Sequence, residues 1–239
     1  MVKAEQLNKS ITLYEADAMD VLPTLGKVDA VVTDPPFGTD VPRDGYGRRQ
    51  LWGDTRRIEG DSDLSAMANA MKELPQILQP DSWVISFASP KRHAEAANVI
   101  EECGLKIIGE VIWDKACPGL GGGIRYQHEL IMLASNGVSK GRSEMFSILR
   151  YVRMMHAVHP HEKPVGLIAD LIRYCSDPGD TILDPFAGSG TTGIAALLEG
   201  RKAILIEKDP RYADVIRQRI EKYECQQPGS IFRQELSLC

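Results

Sequence analysis

The segment 181–207 constrains the fold of this chain more than any other feature. It contains, in order, an apolar run at 181–183, the stretch Gly188-Ser189-Gly190-Thr191-Thr192-Gly193, an apolar run reaching 199, a further apolar run at 203–206, and Glu207. This order predicts a strand, a tight turn, a helix over 191–199 and a second strand parallel to the first. Parallel strands joined by crossover helices form sheets covered by helices on both faces. The segment therefore predicts an α/β fold with a doubly wound, mostly parallel sheet.

The same segment predicts an adenosine-bearing ligand. Glycines allow the backbone to approach a ligand closely, and Glu207 can accept both hydroxyls of a ribose. The glycine spacing also fits nicotinamide enzymes, but those normally carry it early in the chain, and Asp184 at the end of the first strand would repel a pyrophosphate. A P-loop is excluded because no Lys follows the second glycine. The remaining adenosine cofactor, whose ammonium group suits Asp184, is S-adenosylmethionine.

A second candidate site is the turn Asp34-Pro35-Pro36-Phe37, which follows the apolar run 28–33. The two prolines make the turn stiff and offer no backbone N–H. A carboxylate and a Pro carbonyl can accept both N–H bonds of an exocyclic amino group while Phe37 stacks on the base. The alternative is an ordinary proline turn with Phe37 in the core. The motif thus favours a planar base as ligand without excluding a structural role.

Apolar periodicity divides the rest of the chain into alternating elements of a single domain, 1–239. The predicted strands are 11–16, 28–33, 83–88, 105–113 and 129–134, and the predicted helices are 64–78, 91–103, 164–176 and 210–223. Pro75 predicts a kink in the first of these helices. Loops beyond the carboxyl ends of such strands usually carry the chemistry, so the acidic turns are expected at one edge of the sheet.

Two basic segments lie outside this pattern. The loop 38–61 carries Arg43, Arg48, Arg49, Arg56 and Arg57, and is predicted to be a mobile lid that contacts DNA, or else a solvated loop whose acids offset the arginines. The segment 138–158 is predicted to be a small helical insert for DNA recognition, or else a solvated connecting helix. Its basic residues are Lys140, Arg142, Arg150 and Arg153.

Composition excludes several classes of protein. The five cysteines are scattered without a C-x-x-C pair, which argues against a zinc site or a disulfide framework and favours reduced thiols in a cytoplasm. His159 and His161, with Glu162, have spacing unsuited to a metal. No apolar run is long enough for a membrane helix. A net charge of −5 argues against indiscriminate binding of nucleic acid.

Three motifs in order resemble those of the beta-group DNA amino-methyltransferases. They are Asp-Pro-Pro-Phe at 34–37, His-Pro-x-x-Lys-Pro at 159–164 and Asp-Pro-Phe-x-Gly-Ser-Gly-Thr-Thr at 184–192. Trp113-Asp114-Lys115 and His128-Glu129 are similar to the intervening motifs of that group. The resemblance implies a Rossmann-like methyltransferase fold in which the catalytic motif precedes the cofactor motif, a circular permutation of the usual order.

The resemblance also implies a role for each matched residue. The methionine end of S-adenosylmethionine would be held by Asp184, Phe186, Gly188, Ser189, Gly190, Thr191 and Thr192. Glu207 would bind the ribose and Asp17 the adenine edge, while His159 and Lys163 would flank the cofactor, with Lys163 near its carboxylate. A homodimer is expected, because 138–158 is short for a recognition domain.

These motifs predict methylation of adenine N6 in double-stranded DNA. The target base would flip out, stack on Phe37 and donate its amino protons to Asp34 and the Pro35 carbonyl, which frees the nitrogen lone pair. An aspartate in the first motif position favours adenine N6 over cytosine N4. Cytosine N4 methylation, methylation of RNA or protein, and a non-enzymatic DNA-binding role remain as alternatives.

Overall fold

A single nine-stranded sheet dominates the computed structural model, which describes residues 3–36, 64–117, 124–152 and 162–226. Its strands are β1 (Ala4–Gln6), β2 (Ile11–Glu15), β3 (Val28–Thr33), β4 (Leu78–Ala88), β5 (Lys106–Asp114), β6 (His128–Ser135), β7 (Ile148–Arg150), β8 (Thr181–Asp184) and β9 (Lys202–Glu207). The helices are α1 (Ala18–Val21), α2 (Ser65–Ile77), α3 (His93–Glu102), α4 (Val165–Cys175), α5 (Thr191–Leu198) and α6 (Pro210–Gln226).

The strand order is β1-β2-β9-β8-β3-β4-β6-β5-β7. The five strands from β2 to β4 are all parallel, whereas β1 and β6 run antiparallel to their neighbours. Within these five strands, helix α1 connects β2 to β3, α2 lies between β3 and β4, and α5 connects β8 to β9, as expected for βαβ units. The predicted doubly wound α/β fold with a mostly parallel sheet is confirmed.

Apolar residues on both faces of the sheet form two buried clusters. Along β4, Trp83, Ile85 and Phe87 enter the cluster on one face, which α4, α5 and α6 complete. Val84 and Ala88 enter the cluster on the opposite face, beneath α1, α2 and α3. This alternation with a period of two explains why the central strands are nearly continuous apolar runs.

The sequence located the predicted strands and helices correctly within a few residues, with three differences. The helix α2 retains Pro75 within three residues of its end, and β4 begins directly after it at Leu78. Strand β1 was not predicted, because it has only three residues and two of them, Glu5 and Gln6, are polar. The third difference is the predicted helix over 138–158, which is wrong for the described residues 138–152.

Those residues form a loop followed by the short edge strand β7. Leu149 is buried while its neighbours Ile148 and Arg150 are exposed, which is the period of a strand and not of a helix. β7 pairs in parallel with β5, whose ladder satisfies its backbone groups. The basic residues of this segment therefore do not share a helical face.

The fold gathers the predicted site residues at one edge. β2, β9, β8, β3 and β4 run in the same direction, so the residues that follow them meet at the carboxyl edge of the sheet. Asp17, Glu207, Asp184 and Asp34 all lie at or just beyond these strand ends. No described helix is long and apolar enough to cross a membrane. Within the described ranges, His, Cys, Asp and Glu side chains form no group arranged to hold a metal.

Candidate active site

The turn after β3 presents a carboxylate with two different oxygens. The Asp34 side chain is 22% exposed, and its Oδ2 accepts a hydrogen bond from Lys163 Nζ. Its Oδ1 is buried and has no hydrogen-bond partner within the described residues. Burial raises the pKa of Asp34 to about 6, with Lys163 opposing this effect and Glu129 adding to it. A buried acceptor without a donor is costly, so Oδ1 is suited to an N–H from a ligand.

Lys163 joins this carboxylate to a second acid. Its Nζ lies 3.1 Å from Glu129 Oε2, and Glu129 Oε1 lies 2.6 Å from Lys115 Nζ. Burial lowers the pKa of Lys163, but Asp34 and Glu129 outweigh that effect and raise it. Burial likewise opposes ionisation of Glu129, but Lys163 and Lys115 together hold its pKa at about 2. Lys163 and Glu129 therefore stabilise each other's charged forms beside Asp34.

Two aromatic rings enclose the same lysine. Lys163 Nζ lies 4.8 Å from the centre of the Phe87 ring and 5.8 Å from that of Trp113. The two rings are 6.3 Å apart and meet edge to face. Because β4 and β5 bury these rings in the core, the ammonium is held over their faces and shielded from water.

The acid at the end of β8 has a different environment. Asp184 Oδ2 accepts from Thr192 Oγ1 at 2.6 Å, and Oδ1 accepts from Thr33 Oγ1 at 2.9 Å and from the Phe186 amide at 3.2 Å. Burial raises the pKa of Asp184 to about 6 although these three donors oppose it. Thr33 directly precedes Asp34, so the bond from Thr33 ties the base of the Asp34 turn to the glycine-rich turn.

Glu207 organises the other side of the glycine-rich turn. Its Oε2 accepts from the Gly188 amide and its Oε1 from the Asp209 amide, both at 2.8 Å. Burial raises the pKa of Glu207 to about 7 in spite of these bonds. Asp17 lies on the adjacent strand end, where Oδ1 caps α1 through the Met19 amide at 3.0 Å. Three acids thus border one turn at the carboxyl edge.

Two glycines of the turn are required by packing. Gly190 has a φ of 78°, and a Cβ there would lie 2.9 Å from Ile216 of α6. A Cβ on Gly193 would lie 2.8 Å from Leu205 of β9. Glycine at 190 therefore suits a left-handed backbone, whereas at Gly193, within α5, a side chain would displace the end of the Leu205 side chain. Ser189, Thr191 and Thr192 of the same turn are buried.

Arg219 binds this turn, although the sequence alone did not predict its role. Arg219 of α6 donates from Nη1 to Ser189 O at 2.9 Å and to Ser189 Oγ at 2.8 Å. Its Nη2 lies 3.0 Å from Glu162 Oε1, beside Lys163. An arginine within an amphipathic helix gives no signal in a single sequence. Glu129 and Lys115 did lie in noted motifs, but their contact with Lys163 follows only from the fold.

Two of the predicted DNA-binding residues lie away from Asp34. The Lys140 carbonyl accepts from Trp83 Nε1 at 3.2 Å, and Arg142 Nε lies 2.8 Å from Asp177 Oδ2. Both contacts lie toward the amino ends of the parallel strands, at the edge opposite Asp34, because Trp83 pairs with Ala30 and Asp177 precedes β8. Lys140 and Arg142 thus lie near that edge of the sheet and not beside the Asp34 turn.

Arg150 lies beside Asp114, at the end of strand β5. It ends β7, its side chain is 75% exposed, and its Nε is 2.8 Å from Asp114 Oδ2 at the end of β5. The remaining predicted contacts lie outside the described residues. These are Phe37, Arg43, Arg48, Arg49, Arg56, Arg57, Arg153 and His159.

Comparison with known proteins gives matches over most of the chain. Residues 135–218 match the N6/N4 methyltransferase family model, described as DNA methylase. The candidate methylase YubD of Escherichia coli strain K12 is 29% identical over 209 residues, which cover 86% of this chain and 88% of YubD. A candidate DNA modification methylase from Thermus thermophilus, solved with S-adenosyl-L-methionine, is 25% identical with a TM-score of 0.66, over 88% of this chain and 95% of that one.

The cytosine-N4-specific PvuII DNA methyltransferase has a TM-score of 0.72 at 17% identity, over 93% of this chain and 95% of its own, and shows the fold alone. The fold is thus that of the S-adenosylmethionine-dependent DNA methyltransferases. The chain is thus similar to methylases and methyltransferases both in its fold and in its matches to the family model and the curated relatives.

Proposed function

We propose that this chain transfers a methyl group from S-adenosylmethionine to the N6 amino group of adenine in double-stranded DNA. The observation that carries the proposal is the buried, unpartnered Oδ1 of Asp34 next to the acid-lined glycine-rich turn. A base donor at Oδ1 would lie beside a ligand held by that turn, because the bond from Thr33 to Asp184 fixes the two turns together. The proposal follows from this adjacency of an amino-group acceptor and a nucleotide site.

The residues around the glycine-rich turn fit S-adenosylmethionine. Burial raises the pKa values of Asp184 and Glu207 to about 6 and about 7, and each group is further raised by a neighbouring acid. Such a cluster gains from a cationic ligand, which an S-adenosylmethionine sulfonium and ammonium provide. Glu207 would accept the ribose hydroxyls and Asp17 the adenine amino group, with Asp184, Phe186 and the turn at the methionine end. When bound, the cofactor supplies an electrophilic methyl group.

The protein groups then act on the base. Asp34 Oδ1 and the Pro35 carbonyl accept the two amino protons, which directs the nitrogen lone pair away from the ring. The negative charge of Asp34 would stabilise the positive charge that develops on nitrogen. The N–C bond would form as the methyl–sulfur bond breaks, which leaves the cofactor as a neutral thioether, and one amino proton would then pass to solvent water. Phe37 stacks on the flipped base. The loop 38–61 and Arg150 contact phosphates, whereas Lys163 is held against Asp34 and Glu129 and not reserved for a cofactor carboxylate.

Cytosine N4 is the second candidate target. The PvuII enzyme shares the fold, and its printed specificity is cytosine N4. Both reactions need an acceptor for an exocyclic amino group, so Oδ1 serves either base. The preference for adenine depends on the aspartate at position 34 and on the motif resemblance. The single chain gives no support to the predicted homodimer.

Nucleoside mass spectrometry tests the function. Purified protein is incubated with S-adenosylmethionine and each of duplex DNA, single-stranded RNA and a protein mixture, and the products are digested and analysed. We expect N6-methyladenine in duplex DNA alone. N4-methylcytosine would establish the second candidate, and a methylated RNA or protein product would overturn the proposal. An S-adenosylmethionine-binding measurement by calorimetry separates an enzyme lacking its DNA site from a protein without the cofactor.

A further inference from the structure

Four charged side chains beside the catalytic turn form an alternating chain. Asp34, Lys163, Glu129 and Lys115 follow one another through contacts from Lys163 to Asp34 Oδ2, from Lys163 to Glu129 at 3.1 Å, and from Lys115 to Glu129 at 2.6 Å. Two negative and two positive groups leave the chain without net charge. The order of the four groups matters as much as their net charge, because both lysines contact Glu129 but only Lys163 contacts Asp34.

Glu129 is held firmly in this chain. Its side chain is only 17% exposed, and it comes from β6, whose residues pair with β5 on one side and β4 on the other. A buried carboxylate of this kind persists only when cations compensate it, and both of its oxygens face lysines. Glu129 touches Asp34 only through Lys163, so its influence on the catalytic turn is indirect.

The geometry of an ammonium explains what Glu129 does. A lysine has three donors, and a buried lysine beside a single carboxylate can bond both of its oxygens. In this structure Lys163 bonds Asp34 at Oδ2, and its ammonium also lies 3.1 Å from Glu129 Oε2 as an ion pair without a hydrogen bond to that oxygen. Asp34 Oδ1 has no protein donor within the described residues. Without Glu129, the Lys163 ammonium would interact with Asp34 alone and could bond both of its oxygens. It would then compete with an incoming N–H for Oδ1.

We propose that Glu129 is a positioning residue for methyl transfer, which diverts Lys163 and so reserves Asp34 Oδ1 for the amino group of the target base. This inference rests on the proposed function for its consequence in catalysis, although the arrangement itself can be tested in the free protein. Lys115 is the counter-charge that keeps Glu129 ionised. Lys163 holds Asp34 in place and lowers the energy of its carboxylate form.

The arrangement makes opposite predictions for the loss of Glu129 and the loss of Lys163. The charged groups that act on Asp34 are Lys163, Glu129, Lys115 and Asp184. Glu129→Gln removes a negative neighbour and releases Lys163 toward Asp34, so the pKa of Asp34 falls from about 6. Lys163→Met removes the cation in contact and raises that pKa. Lys115→Met strengthens the hold of Glu129 on Lys163 and raises it by a smaller amount.

Carbon-13 NMR of the aspartate carboxyl groups measures this in the protein without DNA or cofactor, with Asp34→Asn identifying the resonance. We expect the midpoint to move down by about 1 pH unit in Glu129→Gln and up by about 1 or more in Lys163→Met. The matched control is Glu199→Gln, because Glu199 is 18% exposed and paired with Arg173 at 2.7 Å far from Asp34. In Glu199→Gln, the titration midpoint of Asp34 should equal that of the wild type.

Kinetics show whether the diversion serves the reaction. In Glu129→Gln, kcat/KM for DNA should fall about 10-fold at pH values above the acid limb of its pH profile. The Kd for S-adenosylmethionine should stay within about twofold of the wild-type value. The acid limb should move with the NMR midpoint. A midpoint that does not move, or moves up, in Glu129→Gln overturns the inference whether or not the enzyme is active. If Glu129→Gln does not fold, a Lys115→Met midpoint equal to the wild type overturns it.

Failure of the proposed function gives a different result. In that case the NMR midpoints move as expected but the wild-type protein methylates no DNA. A moved midpoint with unchanged kcat/KM would show that Lys163 leaves Oδ1 accessible even without Glu129, which also overturns the positioning role.

Discussion

Asp34 and Asp184 begin from nearly the same sequence and end in different roles. Each ends or follows a buried parallel strand, each precedes a proline, and β3 and β8 are neighbours in the sheet. Burial raises the pKa of each to about 6. Yet both oxygens of Asp184 accept bonds from neutral donors of the protein, whereas Asp34 has one oxygen on a lysine and one without a donor in the described chain.

The difference shows that strand position and burial set the energy of a carboxylate, while the neighbouring donors decide its use. A carboxylate satisfied by two hydroxyls and an amide serves as a joint between turns. One with an unsatisfied buried oxygen keeps a binding position for a ligand at a cost in stability. On this basis Asp34 should matter most to activity, and Asp184 to folding and the cofactor.

The largest expected effect is on activity, in Asp34→Asn. The amide has nearly the same shape but loses the charge that stabilises the developing positive nitrogen, so we expect kcat to fall at least about 1000-fold. The Kd for S-adenosylmethionine should stay within a few-fold, because Asp34 is assigned to the base. A radiolabelled methyl-transfer assay and calorimetry measure the two quantities. A comparable loss of cofactor binding would erase the distinction between the two acids.

Asp184→Ala should act in the opposite sense. It leaves the buried hydroxyls of Thr33 and Thr192 without their acceptor, so the free energy of unfolding should fall by about 3 kcal/mol. The Kd for S-adenosylmethionine should rise at least about 10-fold, because the partner of the ammonium group is lost. Urea unfolding and calorimetry test this. A pure decrease in kcat, with stability and Kd unchanged, would contradict the assignment.

The pH dependence of stability sharpens the comparison further. Because the folded protein holds the pKa of Asp184 at about 6, above its unfolded value, the folded state binds the proton more tightly. This stabilisation is fully present below about pH 4 and is lost as the pH rises through 6. We expect Asp184 to account for about 2 kcal/mol of that decrease, and Glu207 to extend it toward pH 7.

Urea unfolding at a series of pH values, for the wild type and Asp184→Asn, tests this expectation. The variant should show a flatter decrease between pH 4 and pH 6. Glu129 affects the free energy of unfolding in the opposite sense, because its pKa is held at about 2, below the unfolded value. Its stabilising contribution is present at higher pH and is lost as the pH falls through about 2. Equal slopes in the two proteins would mean that Asp184 is not protonated more readily in the folded state.

The sequence predicted the carboxyl edge well, because strand ends there are marked by acids and prolines. Asp34, Asp184, Glu207 and Asp17 lie at adjacent strand ends where the βαβ pattern placed them. Such local patterns predict where a chain turns. They could not predict that Lys163 lies between Asp34 and Glu129, because those contacts join residues from three separate segments.

The segment 138–152 shows the complementary limit. Its apolar residues resembled one face of a helix, but pairing with β5 overrode that pattern and left Ile148 exposed at the sheet edge. The charge pattern of the sequence also placed Arg142 and Arg150 in one predicted DNA-recognition segment. Tertiary structure separates them, one beside Asp177 and one beside Asp114 at the catalytic edge.

The smallest expected effect concerns the bond that joins the two acids. Thr33→Val keeps the buried shape but removes the hydroxyl that donates to Asp184 Oδ1 at 2.9 Å. The Phe186 amide at 3.2 Å still serves that oxygen, so the free energy of unfolding should fall by only about 1 kcal/mol. In an Asp184→Ala background the same substitution should cost nothing further, because the acceptor is already gone.

A double-mutant cycle by urea unfolding measures this coupling, with Thr24→Val as the control, since the Thr24 hydroxyl donates locally to Val21 O at 2.7 Å. The control should be additive with Asp184→Ala. Because Thr33 directly precedes Asp34, its loss should also let the catalytic turn shift relative to the glycine-rich turn, and kcat should fall several-fold more than the Kd for S-adenosylmethionine rises. An additive cycle for Thr33 would mean that the two acids are positioned independently, by their strands alone.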